Sequence, residues 1–510
     1  MNDKSRTYNS ARNFTMSVVQ KLVSILLTFF GRQIFLQVLT VEYLGINGLF
    51  TDILTMLSLA DLGLAASMSF SFYKPLAEKD EDKLAALVGF YRKVYNMVAV
   101  FIGVAGLALT PFLSFVVNLE NDIPYIEVYY LIAVANTVIS YLFVYKATII
   151  TADQNGSIVA KYSVWTSILK LLLQIAVLLT TGSFMLYSLV TVLCTLGNNL
   201  LISRKASRMY AFIKEKVQLS ADDRRAIFHN IKSMFIFKLS SVILNGSDNI
   251  VISVLISTAI VGKYENYRLA VMNLSMIAFI IFTSLAPSVG NLIAKESPER
   301  RLRVFSAMQT ATYWIEGFFG FCLFFLLDDF VVLWLGGSFV FDMSTKIAIL
   351  LNFYLSLTLY PIHAFREATG IYQKTKYAMV AAAVLKIALS LSLCIYFGLA
   401  GVVLASVISK LLTYAWYEPK ILFRDFLGCS ASGYFFRQII NFLMLVGLVA
   451  LAHFFIHWKE CADWPAWLLK AVVYSLGINA IYFLRFYRTP EFRDITDKIA
   501  GLLKRIRPKV

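Results

Sequence analysis

The chain has 510 residues, 59% of them hydrophobic and only 15% charged, with a net charge of +16. That balance excludes a soluble globular protein of this length. The excess of cations does not point to nucleic acid, because Lys and Arg sit in the breaks between apolar runs, the positive-inside pattern of a membrane protein.

The N-terminus, MNDKSRTYNSARNF, is polar. No short apolar run with a small-residue cleavage site follows it, so no signal peptide is expected and the first span acts as the export signal. Apolar runs of about twenty residues then recur to the end of the chain, each long enough to cross a bilayer. Fourteen spans are predicted, at roughly 14–38, 47–72, 93–117, 124–149, 158–180, 183–203, 233–256, 264–292, 305–327, 345–368, 377–397, 399–421, 435–457 and 465–487. With the N-terminus inside, every second break carries the cations, among them Lys74/Lys79/Lys83, Lys295/Arg300/Arg301/Arg303 and the tail Arg485 to Lys509. The alternate breaks, such as VLTVEYLG and NLENDIPY, are poor in them. Both termini are therefore expected in the cytoplasm.

The expected fold class is an all-α polytopic membrane protein of about fourteen transmembrane helices. Two six-helix lobes would be related by a pseudo-twofold along the membrane normal, with two further helices at the C-terminus. The expected boundaries are an N-terminal lobe at 1–203, a basic cytoplasmic linker at 204–232, a C-terminal lobe at 233–424, and the two extra helices with a basic tail at 425–510. In the linker, Ser220 followed by Asp223 reads as a helix N-cap with a third-position acid. Met209, Phe212 and Ile213 share a face, so two readings stand for the linker's first part: a basic amphipathic helix on the lipid surface, and a solvated connection.

The lobes rest on an internal repeat. Sliding the sequence by 217 residues without a gap brings Asn13 onto Asn230, Lys21 onto Lys238, Ser24 onto Ser241, Gly45 onto Gly262 and Ser58 onto Ser275. Arg32 falls on Asn249, next to Asp248. Weak internal symmetry of this kind is a common feature of transporters. An offset of six spans, an even number, leaves both copies in the same orientation, which is why the axis should follow the membrane normal.

The repeated element also carries the candidate site. Lys21 and Arg32 are eleven residues apart, about three helical turns, so they share a face with Thr28. Lys238, Asn245 and Asn249 form the matching stripe. Charged groups on a membrane helix are costly and should face a partner or a water-filled cavity. The candidate substrate-binding residues are therefore Lys21, Arg32, Lys238, Asp248 and Asn249. Their excess of cations would draw anions, and phosphates suit both Lys and Arg. Lys170, Lys386 and Lys410 stand apart and read equally well as snorkelling side chains. Asp52, Asp61 and Glu316 are further ionisable residues within apolar runs. Pro287 and Pro361 interrupt two spans, as hinges or as static kinks. Covalent chemistry has no candidate, because no GxSxG, P-loop, HExxH or paired CxxC occurs. His453, His457 and Cys461 share helical spacing and read better as an interfacial helix end than as a metal site. No cofactor is expected.

Three stretches carry a resemblance. Tyr43–Phe50 (YLGINGLF), Leu57–Gly63 (LSLADLG) and Tyr73–Ala77 (YKPLA) resemble the first two helices of bacterial polysaccharide-export flippases. Asp248–Ser253 (DNIVIS) with Val261–Tyr264 (VGKY) resembles the start of that family's second half. These proteins translocate lipid-linked oligosaccharides, within a superfamily that also holds multidrug exporters and peptidoglycan-precursor flippases. The resemblance implies a two-lobed bundle whose central cavity opens alternately to each side of the inner membrane. It implies no enzyme activity, and a substrate that is a sugar chain on a polyprenyl pyrophosphate. Partners would be that substrate, the bilayer, and the glycan polymerase and glycosyltransferases of the same synthesis. Peptidoglycan-precursor flippases tend to carry an Arg-Asp pair in the first helix, whereas Arg32 is followed by Gln33. The alternative is a drug/cation antiporter of the same architecture.

Overall fold

The structure, a computed structural model, describes residues 3–58, 64–120, 122–215, 217–456 and 461–497. All regular elements among them are helical. By internal contacts the chain divides into two compact units, 1–265 and 266–510. Unit 1 holds α1 (Asp3–Val38), α2 (Val41–Leu57), α3 (Leu64–Glu78), α4 (Glu81–Leu109), the single turn α5 (Leu113–Val116), α6 (Ile126–Tyr141), α7 (Val144–Ala152), α8 (Gly156–Thr181), α9 (Phe184–Met209), α10 (Ala221–Gly246) and α11 (Asp248–Leu255). The division falls inside α12 (Thr258–Lys295). Unit 2 continues with α13 (Pro298–Leu335), α14 (Met343–Thr358), α15 (Tyr360–Thr369), α16 (Tyr372–Leu412), α17 (Tyr414–Leu422), α18 (Ser432–Phe455) and α19 (Trp464–Phe486).

Helix throughout is what an apolar chain in lipid requires, since every backbone N–H and C=O must be satisfied inside its own segment. Nine segments among the described residues are long and apolar enough to cross a membrane, and two bent pairs, α6 with α7 and the end of α10 with α11, raise the number to eleven. One of the nine, Tyr372–Leu427, contains a reversal. Gly398 leaves helical geometry with φ +53°, and a Cβ on Gly401 would strike the carbonyl of Leu393. The chain therefore turns back on itself there, as the break YFGLAG leads one to expect, and the stretch supplies two crossings. α2 and α12 complete the helical order among the described residues, in keeping with the all-α polytopic class read from the sequence. Outward faces carry apolar rows: Met97, Val100, Phe101 and Val104 on α4 are each more than half exposed and share one helical stripe. The opposite face of α4 buries Tyr91, Tyr95 and Ile102 against α7 and α9.

Ser220 caps α10, accepting from the Asp223 N–H at 3.1 Å while its hydroxyl donates to the Asp223 carboxylate at 2.8 Å. The first part of the linker corrects both sequence readings. Ala211–Lys214 is a short 3-10 turn, and Phe212 is buried in the core around Tyr91 and Ala206 rather than lying in lipid or water. Its ring packs on Tyr210, whose hydroxyl donates to Asp153 at 2.7 Å. Pro361 sits in the first turn of α15, just after the break between α14 and α15, where its missing N–H costs no helical bond. α12 runs through position 287 without a break in its helix. Asp61 and His457 lie outside the described residues. Cys461 donates to Asp329, which also accepts from Lys470 at 2.7 Å.

The repeated element is symmetric at one place. A Cβ on Gly45 would run into the carbonyl of Thr258, and a Cβ on Gly262 into the carbonyl of Val41. Val41 and Thr258 are 217 residues apart, as are Gly45 and Gly262. The contact is thus reciprocal, as at an isologous twofold interface. Gly48 packs on the side chain of Glu265, its own counterpart at the same offset, which marks the local axis. Absence of side chains at Gly45 and Gly262 is what lets α2 and α12 cross so closely.

Candidate functional site

Two adjoining cavities open between the helices of unit 1. The first, of about 210 Å³, is lined by α1, α2, α8 and α9. Ser24, Thr28 and Arg32 from α1 face Lys170 and Gln174 from α8 across it, with Asn47 and Tyr187 closing one side. Of the stripe read from the sequence, Thr28 and Arg32 line this cavity and Lys21 does not. Thr28 donates to the Ser24 carbonyl at 2.7 Å, which leaves its lone pairs free for the cavity. Gln174 is held by Thr191, at 2.9 Å.

Arg32 is half-buried and lies in the field of the Glu265 carboxylate. Glu265 in turn accepts from the Asn249 amide at 2.7 Å, and Asn249 is fully buried. The structure therefore links Arg32, Glu265 and Asn249, and brings Lys170 to the chamber from α8. Asp248 is buried beside Asn249 at the start of α11. Lys21 and Lys238 are half-buried on α1 and α10 and line neither of these two cavities.

Glu265 is the functional candidate that the sequence does not single out, and Lys170, read there equally well as a snorkelling side chain, lines the chamber. Glu265 falls at the start of the span expected at 264–292 and is the repeat counterpart of Gly48, a signal present in the offset itself. Lys170 had no neighbour in sequence to pair with. Lys386 and Lys410 do not snorkel either: both are buried in unit 2, and Lys410 donates to Asn352 at 2.8 Å and Ser356 at 3.1 Å. Glu316 is buried in the same unit and accepts from Asn441 at 3.1 Å. Arg366 and Glu418 form a buried ion pair at 3.1 Å, supported by Thr375.

The second cavity, of about 330 Å³, is lined by α2, α6 and α9. Asn47 and Tyr187 border both cavities, so the two are neighbours. Among the described residues its lining includes no Asp, Glu, Lys, Arg or His. One chamber thus offers two cations to an anion, and the next offers hydroxyls, amides and aromatic rings.

No protein-family model matches the chain, and no curated protein matches its sequence. Its fold is that of transporters of the multidrug/oligosaccharidyl-lipid/polysaccharide exporter superfamily. A solved structure of the lipid II flippase MurJ in an inward closed conformation is similar over 93% of this chain and 99% of that one, at 15% identity and a TM-score of 0.67. An inward-facing multidrug resistance MATE family transporter of the same superfamily matches over 78% and 96%, at 15% identity and 0.56. The MATE transporter DinF-BH, solved with R6G, matches over 83% and 95%, at 15% identity and 0.58.

Proposed function

We propose that the protein is a flippase of the bacterial inner membrane. It translocates a polyprenyl-pyrophosphate-linked oligosaccharide repeat unit by alternating access, for synthesis of a cell-surface polysaccharide. The observation that carries this reading is the chamber lined by Arg32 and Lys170. A pyrophosphate in a low-dielectric interior is unstable unless cations replace its water. Arg32 offers a planar fork and Lys170 a point charge, the two forms of phosphate partner. Lys21 and Lys238, elsewhere on the repeated element, would meet the pyrophosphate on its way in or out, while Asn249 would hold Glu265 in the field of Arg32, with Asp248 next to it at the start of α11. Two lining cations disfavour a cationic drug as cargo.

The test uses the full-length protein in vesicles loaded with a labelled polyprenyl-pyrophosphate oligosaccharide. Transfer between leaflets should fall at least tenfold in Arg32→Ala and Lys170→Ala at wild-type protein levels, by loss of a charged hydrogen bond of about 1.5–3 kcal/mol. Arg32→Lys should keep part of the activity, since the charge survives and only the fork is lost. Full transfer by both alanine variants, or efflux of a cationic dye with no lipid transfer, would falsify the reading.

A further inference from the structure

The second cavity of unit 1 has a chemistry of its own. Thr51, Thr55, Ser58, Thr137 and Ser140 line it, and each hydroxyl donates its proton to a carbonyl of its own helix at 2.7–3.0 Å. A hydroxyl whose hydrogen is spent in this way presents lone pairs. The carbonyl oxygen of the Asn136 amide, also in the lining, is buried and has no hydrogen-bond partner. An orphan acceptor of that kind is costly unless something donates to it. Among the described residues the wall is therefore rich in acceptors and free of formal charge.

Aromatic rings close the other side. Tyr129 meets Phe184 edge to face, with ring centroids 4.9 Å apart, and Phe184 stacks beside Tyr187 at 6.1 Å. Ring faces are electronegative and favour the polarised C–H face of an uncharged ring. A phosphate would find no cation here, and an ammonium no carboxylate. A ligand with many O–H donors and an apolar C–H face fits both walls.

We infer that this cavity binds an uncharged sugar: the residue, or short stretch of residues, joined directly to the pyrophosphate. The inference rests on the reading of the neighbouring chamber as the pyrophosphate site. The shared border at Asn47 and Tyr187 puts a glycosidic neighbour of that phosphate next to the neutral wall. At about 330 Å³ the cavity is at the small end of ligand pockets, roughly 300–1,000 Å³, and holds a short piece of glycan rather than a long one. The rest of the repeat unit must extend beyond it. Selectivity is thereby set at the reducing end: a neutral sugar is accepted, and a uronic acid in that position is disfavoured by a desolvated carboxylate with no counter-charge.

The experiment measures binding to the purified full-length protein of three lipids of equal chain length: the bare polyprenyl pyrophosphate, the same lipid bearing one N-acetylhexosamine, and the same lipid bearing one hexuronic acid. The wild type should bind the neutral glycolipid about tenfold more tightly than the bare lipid, the scale of one or two well-placed hydrogen bonds, and should show no such gain for the uronosyl lipid. Asn136→Leu should abolish the gain. Thr55→Val, a near-isosteric change, should reduce it several-fold and serves if Asn136→Leu fails to accumulate. Arg32→Gln should weaken all three lipids together. Equal binding of bare and neutral-glycosylated lipid by the wild type, or an undiminished gain in folded Asn136→Leu and Thr55→Val, overturns the sugar site while leaving the pyrophosphate reading intact. A preference for the uronosyl lipid overturns the neutral class. Indifference of all three lipids to Arg32→Gln removes the pyrophosphate reading and this inference with it.

Discussion

Glu265 decides how strongly the first chamber can hold an anion. It sits between the Asn249 amide and the field of Arg32, so part of the guanidinium charge is already balanced. A site for a lipid pyrophosphate must bind well enough to admit its cargo and weakly enough to release it. Glu265→Gln removes the counter-charge and keeps an acceptor for Asn249. The expected result is several-fold tighter binding of bare polyprenyl pyrophosphate with slower lipid transfer, measured on the same preparation. Unchanged binding would mean that Arg32 does not feel Glu265 in the working protein. At this scale the sequence was partly legible. The helical stripe of Lys21, Thr28 and Arg32 needs only a residue count to be found. Lys170 and Glu265 come from helices remote in sequence, and periodicity along one helix carries no information about which other helix faces it.

The element that most constrains the fold is the crossing of α2 and α12. Gly45 and Gly262 each lie against a backbone carbonyl of the other helix, and the would-be Cβ of Gly262 is 3.0 Å from the Gly45 amide nitrogen. Neither position has room for a side chain without moving a helix. Gly45→Val and Gly262→Val should therefore each lower the unfolding temperature in detergent, and by similar amounts because the contact is reciprocal. The double variant should cost much less than the sum, since the first substitution already separates the helices. Additive losses would show that the two glycines act at separate contacts. The same glycines anchor the offset of 217 residues, which is why the repeat was visible without a structure. The linker went the other way. Phe212 looks amphipathic in sequence, but burial against α4 is decided by the shape of a core that the local pattern does not encode.

For the whole molecule, the alternation of basic and cation-poor breaks makes a claim about topology. Single cysteines at Glu120 and Ala221, in a chain freed of its own five, should react with an impermeant thiol reagent from opposite faces of the membrane, Ala221 from the cytoplasm. Reaction of both from one side would overturn the order of crossings between them.

By itself the sequence determined that this is a helical membrane protein with many apolar runs long enough to cross a bilayer, and it carries the offset of 217 residues that pairs Gly45 with Gly262. Those properties follow from hydropathy and spacing, which are local or depend on self-similarity alone. Only the tertiary structure decided which ionisable groups share a chamber. Arg32 and Lys170 line one cavity and Arg32 lies in the field of Glu265, while Lys21 and Lys238 line neither cavity described. The reason is physical: a charge in an apolar run must be compensated, but the compensating group can come from any helix that packs beside it, and packing is fixed by shape across the whole bundle.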